Sequence, residues 1–191
     1  MIFATNNAHK LEEVRAILGE EFSLTTLREA GITEDIPEEE PTIEGNALAK
    51  ARYVWAKTGV DCFADDTGLE VDALNGAPGV RSARYATDGH DFTANRTKLL
   101  RELEGKEHRT ARFRTVVALI IGGREYTFEG VVEGKITHKE RGEGGFGYDA
   151  LFQPEGYTQT FAELPAEVKN SISHRGRAMR LLAAWLRENQ L

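Results

Sequence analysis

Residues 110–121, TARFRTVVALII, carry the strongest strand signal in the chain. Their β-branched members Val116, Val117, Ile120 and Ile121 favour an extended backbone. GGRE supplies a turn, and YTFEGVVEGKITH (126–138) runs back, so the two segments predict a long β-hairpin. Ahead of it, strand-like and helix-like patterns alternate. A hairpin following alternating elements predicts an α/β protein with a mixed sheet flanked by helices, rather than a purely parallel sheet.

MIFAT (1–5) reads as a short buried strand, and Leu11, Val14, Ile17 and Leu18 recur at helical steps until Gly19 stops the helix. FSLTT (22–26) reads as a strand and EDIPEEE (34–40) as an acidic loop. A second helix is predicted over 43–58, with Ile43, Ala47, Ala51, Val54 and Trp55 on one face. DCFA (61–64) reads as a strand that ends in DDTG (65–68), and LEVDAL (69–74) as a separate strand. NGAPGVRSARY is a Gly-rich loop, 92–104 a third helix, and YDALF a further strand. A last helix over about 174–188 turns Ala178, Leu181, Leu182, Trp185 and Leu186 inward and Arg175, Arg177, Arg180 and Arg187 largely outward. No repeat, linker or composition break appears, so residues 1–191 are expected to form one domain.

Composition narrows the function. With 24 Lys and Arg against 31 Asp and Glu, the formal net charge is −7, which argues against a broad grip on nucleic acid. Cys62 is the single cysteine, so neither a disulfide framework nor a cysteine-rich zinc cage can form. No apolar run is long enough to span a membrane, and MIFATNNAHK lacks the apolar core of a signal peptide; a cytoplasmic protein is expected.

Three segments in the first half could carry chemistry. In TNNAHK (5–10) a strand passes through a polar turn into a helix, whose first N–H groups favour an anion. Lys10 there opposes the helix dipole, a conflict that a bound anion would relieve; an ordinary helix cap explains the same residues. Adjacent Asp65 and Asp66 at a strand end suit Mg²⁺, or a general base acting on water; an Asx turn through Asp66 and Thr67 is the plain alternative. Glu38, Glu39 and Glu40 could supply a metal ligand or form a solvated charge run.

Two more lie in the second half. Gly142 to Gly147 formally matches G-x-G-x-x-G, but a strand-like segment follows where a dinucleotide site needs a helix. Those glycines instead permit close backbone approach, with Phe146 and Tyr148 presented to a flat ring or packed in a core. Lys169, His174 and Arg175 gather donors near a helix start that Ser173 could cap. No G-x-S-x-G elbow occurs, so a serine hydrolase is not indicated. His90-Asp91 reads as surface.

Taken in order, TNNAHK (5–10), EGNALAKAR (44–52), FADDTGLEVDALNGAPGVRSARY (63–85), GGFGYDALF (144–152) and AEL…KNSISHR (162–175) resemble the inosine triphosphate pyrophosphatase family, which acts on noncanonical purine nucleoside triphosphates. The resemblance spans nearly the whole chain. It implies hydrolysis of ITP, dITP and XTP to the monophosphate and pyrophosphate, Mg²⁺ dependence, a homodimer, and a two-lobed α/β fold around a long mixed sheet flanked by helices. By matching motif, it implies Asp66 as general base and metal ligand, with Asp65 beside it in the metal site. Glu38, eight residues before Asn46, is the implied metal glutamate, and Glu39 or Glu40 could take that role. Thr5, Asn6, Asn7, Ala8, His9 and Lys10 are implied to hold the triphosphate with Lys50, and Thr67 to lie at the phosphate edge. Phe146, Gly147, Tyr148 and Asp149 are implied to shape the base and sugar pocket, and Lys169, His174 and Arg175 to read the base.

Donors such as Lys169 and Arg175 suit a 6-oxo acceptor and oppose a 6-amino donor, and unpaired buried donors can discriminate by factors on the order of 10⁴. This accounts for rejection of adenine but not of guanine. Three other readings stay open at this point. One is a phosphomonoesterase with Asp65 as nucleophile, although D-x-D is absent. The second is a nucleotide sensor without turnover. The third is a related pyrophosphatase of thymidine or uridine triphosphates.

Overall fold

The computed structural model describes residues 1–189; residues 190 and 191, the end of the span expected as one domain, lie outside the described residues. The elements in chain order are β1 (Ile2–Phe3), α1 (Ala8–Leu18), β2 (Thr25–Thr26), α2 (Ile43–Thr58), β3 (Cys62–Val71), β4 (Pro78–Gly79), α3 (Phe92–Glu102), β5 (Thr110–Ile121), β6 (Arg124–Ile136), β7 (Phe152–Pro154), α4 (Ala166–Ile172) and α5 (His174–Glu188). They build an α/β fold on a mixed seven-stranded sheet in the order β2-β1-β3-β5-β6-β7, with β4 paired to β3. β1 runs parallel to β2 and β3, whereas β3 with β4 and β6 with β7 are antiparallel. Among the described residues, no helix is long and apolar enough to cross a membrane.

The hairpin and both early helices follow from local chemistry. The β5–β6 turn is only Gly122-Gly123, with φ of 57° and 80°, the positive pair that a type I′ turn demands. Arg124 and Glu125, expected in the turn, therefore belong to β6. Asn7 caps α1 by accepting the Lys10 N–H at 3.1 Å, and Gly19 ends it at φ 71°. Thr42 caps α2 in the same way through the Gly45 N–H, and Gly59 closes it in the left-handed region.

By its internal packing, the chain divides into two compact units. The first holds Met1–Asp66, Thr115–Gly130 and the chain from Arg175 onward; the second holds Thr67–Arg114 and Val131–His174. Within the first unit, alternate residues of the strands enter opposite cores, as the two-residue period of a strand requires. Val116, Ala118 and Ile120 join Cys62 and Ala64 against Ala47, Ala51 and Val54 of α2. Val117 and Leu119 join Phe3 and Phe63 against Val14 and Leu18 of α1 and Ala178 and Leu182 of α5. The second unit has its own core, in which Leu69, Val71, Phe113, Val132, Phe152 and Phe161 are prominent.

Several local expectations are corrected. MIFAT and FSLTT shorten to two-residue strands. DDTG is not a turn: one strand runs through it from Cys62 to Val71, because the two carboxylates bond to distant side chains rather than to their own backbone. YDALF begins as a 3-10 turn over Asp149–Leu151 before β7. α4 has no counterpart in the sequence pattern, and Ser173 is the single extended residue between it and α5. On α5, Leu181 is half exposed, whereas Arg175 is buried rather than outward.

Candidate active site

In the first unit a ring of charge surrounds Asp65 and Asp66. Asp65, 1% exposed, accepts Lys10 Nζ on one carboxylate oxygen at 3.2 Å and Arg175 Nε on the other at 3.1 Å. Its backbone carbonyl also accepts Lys50 Nζ at 2.5 Å. Burial alone would raise this carboxyl's pKa, but Lys10, Arg175 and Lys50 outweigh it and hold the group well below the usual carboxylate range. Arg175 is buried because the first turn of α5 delivers it onto Asp65 and onto Glu13 of α1, at 2.8 Å. A helical wheel assigns it outward only if ion pairing is ignored.

Asp66 behaves in the opposite way. Burial is the largest influence, Glu38 and Asp65 add like charge, and Lys50 and Lys10 only partly offset them, so its pKa is pushed up to about 6. A carboxylate with that affinity for a proton is suited to receive one from water near neutral pH. Lys50 Nζ lies 3.0 Å from Glu38 and 3.8 Å from Asp66. Burial lowers the pKa of Lys50, but Asp66, Glu38 and Asp65 more than offset it, so the ammonium stays charged. Lys10, half-buried, has its pKa lowered by desolvation against the pull of Asp65.

Thr5 and Asn7 order the turn before α1, the Thr5 hydroxyl accepting the Asn7 N–H at 3.0 Å. Asn6, Ala8 and His9 are exposed there. The donor set fits a hard divalent cation, since Glu38 and Asp66 already approach one ammonium and Mg²⁺ commonly takes one or two carboxylates plus phosphate oxygens. Among the described residues, no three His, Cys, Asp or Glu side chains form a ready metal cage. Glu39 and Glu40 lie in the same loop, but only Glu38 of the three is paired with Lys50.

The second unit gathers the remaining expected residues. Lys169 Nζ donates to Asp149 at 2.7 Å, both side chains being buried, and lies 5.3 Å from the Phe146 ring centre. The same Asp149 oxygen accepts the Phe146 N–H at 3.0 Å, which fixes the glycine-rich loop. Gly145 is at φ 67°, and a Cβ there would strike the Asp149 carboxylate, so the loop requires glycine. Gly147 offers its carbonyl to Arg96 of α3 at 2.9 Å. The Tyr148 hydroxyl donates to the Ser82 carbonyl at 2.7 Å. His174 stacks on Phe113 with ring centres 4.5 Å apart. Thr67 is half-buried on β3.

Asn46 enters the sequence reading only as the landmark for Glu38, and Glu13 and Arg96 do not enter it. Asn46 bonds Asp66, Glu13 anchors Arg175, and Arg96 holds the 147 carbonyl. Only Asn46 left a local trace, four residues before Lys50 on the same helix face.

Comparison with known proteins places the chain in a family. A dITP/XTP pyrophosphatase of Porphyromonas gingivalis is 53% identical over 187 residues, covering 97% of this chain and 96% of its own. One of Flavobacterium johnsoniae is 50% identical over 182 residues, covering 95% of each. The Ham1 protein of Staphylococcus aureus superposes with a TM-score of 0.89 at 36% identity, and that of Coxiella burnetii with 0.90 at 38%, each covering 98% of both chains. Residues 1–185 match the Ham1 family, and the chain belongs to that family.

Proposed function

We propose that this chain hydrolyses noncanonical purine nucleoside triphosphates (ITP, dITP and XTP) to the monophosphate and pyrophosphate, and so removes them from the nucleotide pool. The observation that carries the reading is Asp66: a buried carboxylate with its pKa pushed up to about 6, beside Lys50, in a chain about half identical to dITP/XTP pyrophosphatases. Asp66 takes the proton of the water that attacks the α-phosphorus. Lys10 and Lys50 meet the phosphates together with the N–H groups that open α1, whereas Arg175, the implied base reader, is engaged by Asp65 and Glu13. Glu38 and Asp66 would hold Mg²⁺, which supplies charge neutralisation at the leaving pyrophosphate. Lys169, held by Asp149, donates to the 6-oxo group of the base, and the Phe146 ring offers it a flat apolar face. The reading carries with it a homodimer in the cytoplasm, with no nucleic-acid or membrane partner.

The phosphomonoesterase alternative loses ground on geometry. Both Asp65 carboxylate oxygens accept bonds from cations and the side chain is buried, a poor state for a nucleophile. The deciding experiment incubates the protein and Mg²⁺ with ITP, dITP, XTP, ATP, GTP, TTP and UTP and identifies the products. Pyrophosphate from ITP, dITP and XTP in preference to ATP and GTP bears the proposal out. Orthophosphate alone, binding without turnover, or a preference for TTP or UTP would each refute it. Size-exclusion chromatography with light scattering tests the dimer.

A further inference from the structure

We infer that Asn46 is a positioning residue for the hydrolytic reaction: its single amide ties the acidic loop to Asp66 and fixes the orientation of that carboxylate. The inference rests on the reading of Asp66 as the base. Asn46 is 1% exposed and occupies the first turn of α2. Its Oδ1 accepts the Glu40 backbone N–H at 2.9 Å, and its Nδ2 donates to Asp66 Oδ2 at 3.3 Å.

The orientation of the amide follows from its partners. A backbone N–H can only donate, so the carbonyl end of Asn46 must face Glu40, and the NH₂ end is left for Asp66. An NH₂ group can only donate, so Asp66 Oδ2 is the acceptor in this bond. The other oxygen, Oδ1, lies 3.8 Å from Lys50 Nζ, so the carboxylate is held from both sides. Asn46 and Lys50 are four residues apart, so one rigid helix face presents both side chains to the same carboxylate. The loop is fastened to that face twice, at the Glu40 N–H by Asn46 and at the Glu38 carboxylate by Lys50.

The test compares Asn46→Asp and Asn46→Ala with the unaltered protein, and with Asp66→Asn as a control. It measures kcat and KM for ITP with Mg²⁺, normalised to folded protein, and urea midpoints. Asn46→Asp keeps an acceptor for the Glu40 N–H but cannot donate to Asp66 when ionised; Asn46→Ala loses both bonds without adding charge. Both variants are expected to lose about 10–100-fold in kcat, the range for partners that orient a reactive group, with KM within about threefold. A merely structural role would lower the urea midpoint and leave kcat per folded molecule unchanged. A kcat within threefold of the unaltered protein in either variant overturns the inference if Asp66→Asn is inactive. Turnover by Asp66→Asn would instead sink the reading of Asp66 as the base.

Discussion

Asp66→Asn should abolish turnover and, without metal, make the protein more stable in the neutral range than at acid pH relative to the unaltered chain. Burial has raised this carboxyl from an ordinary 3.8 to about 6. The sign follows from linkage: a group whose folded pKa lies above its unfolded one adds stability that is complete below about pH 4 and lost as pH rises through about 6. The full amplitude is about 3 kcal/mol at 1.36 kcal/mol per pKa unit, and about 2 kcal/mol of it falls between pH 4.5 and pH 8. Asparagine does not titrate, so the difference in stability between the two proteins should move by that amount in favour of the variant. With a urea slope of about 2 kcal/mol per molar, the relative midpoint shifts by about 1 M. The assay is urea unfolding of both proteins in EDTA at the two pH values. Every other titrating group cancels in the comparison unless it couples to Asp66. Mg²⁺ at pH 8 should recover stability for the unaltered protein and much less for the variant. A difference between the proteins that is the same at both pH values would refute the raised pKa of Asp66, whatever the activity shows.

Asp65→Asn removes the carboxylate that bridges Lys10 and Arg175; because Arg175 keeps Glu13, the loss should fall near the lower end of the roughly 3–5 kcal/mol typical of broken buried pairs, and a loss under about 1 kcal/mol by urea unfolding would count against the bridge. The Asp65 carboxyl is held below the usual range, so its contribution is complete above about pH 4 and disappears as pH falls further; Asp65→Asn should flatten that acid limb. Cys62 is fully buried, with its thiol pushed up to about 11 chiefly by desolvation, so iodoacetamide at pH 8 should leave the native protein unlabelled over hours and label it promptly in urea, as read by mass spectrometry. Lys169→Met keeps length and removes the donor, so the ITP-to-ATP ratio of kcat/KM should fall by about tenfold or more, and an unchanged ratio would take Lys169 out of base reading.

What could be read from sequence was what local chemistry decides. The hairpin, the bounds of α2 and the stop at Gly19 rest on side-chain periodicity, caps and glycine conformation within a few residues. The DDTG stretch failed that test because its partners lie elsewhere: Asp65 meets Lys10 across 55 positions and Arg175 across 110. Once those cations take the carboxylates, nothing remains to bend the backbone, and the strand continues. Arg175 was misplaced for the same reason. α4 is seven residues long, too short for an apolar period to declare itself. In the site, residue types were legible but not their pairing: nothing local distinguishes Asp65, saturated by cations, from Asp66, left poised.

That pairing sharpens what the net charge of −7 means. The first-unit cluster contains Lys10, Lys50 and Arg175, but each is matched to a carboxylate among Glu13, Glu38, Asp65 and Asp66. Its cations are therefore already balanced in charge and cannot by themselves neutralise an incoming anion, even where Lys10 and Lys50 touch it. A triphosphate brings about four negative charges, and bringing it against carboxylates in a site of low effective dielectric would be strongly unfavourable. Two outcomes are physically open: the carboxylates give up charge by protonation, or another cation arrives. Asp65 cannot take the first course near neutral pH, since its pKa is held far too low. Asp66 can only partly do so, and must be ionised to act as a base. A divalent cation, which Glu38 and Asp66 would hold, would offset part of that surplus without costing Asp66 its ionised form, which is the electrostatic reason the proposed activity carries Mg²⁺ with it.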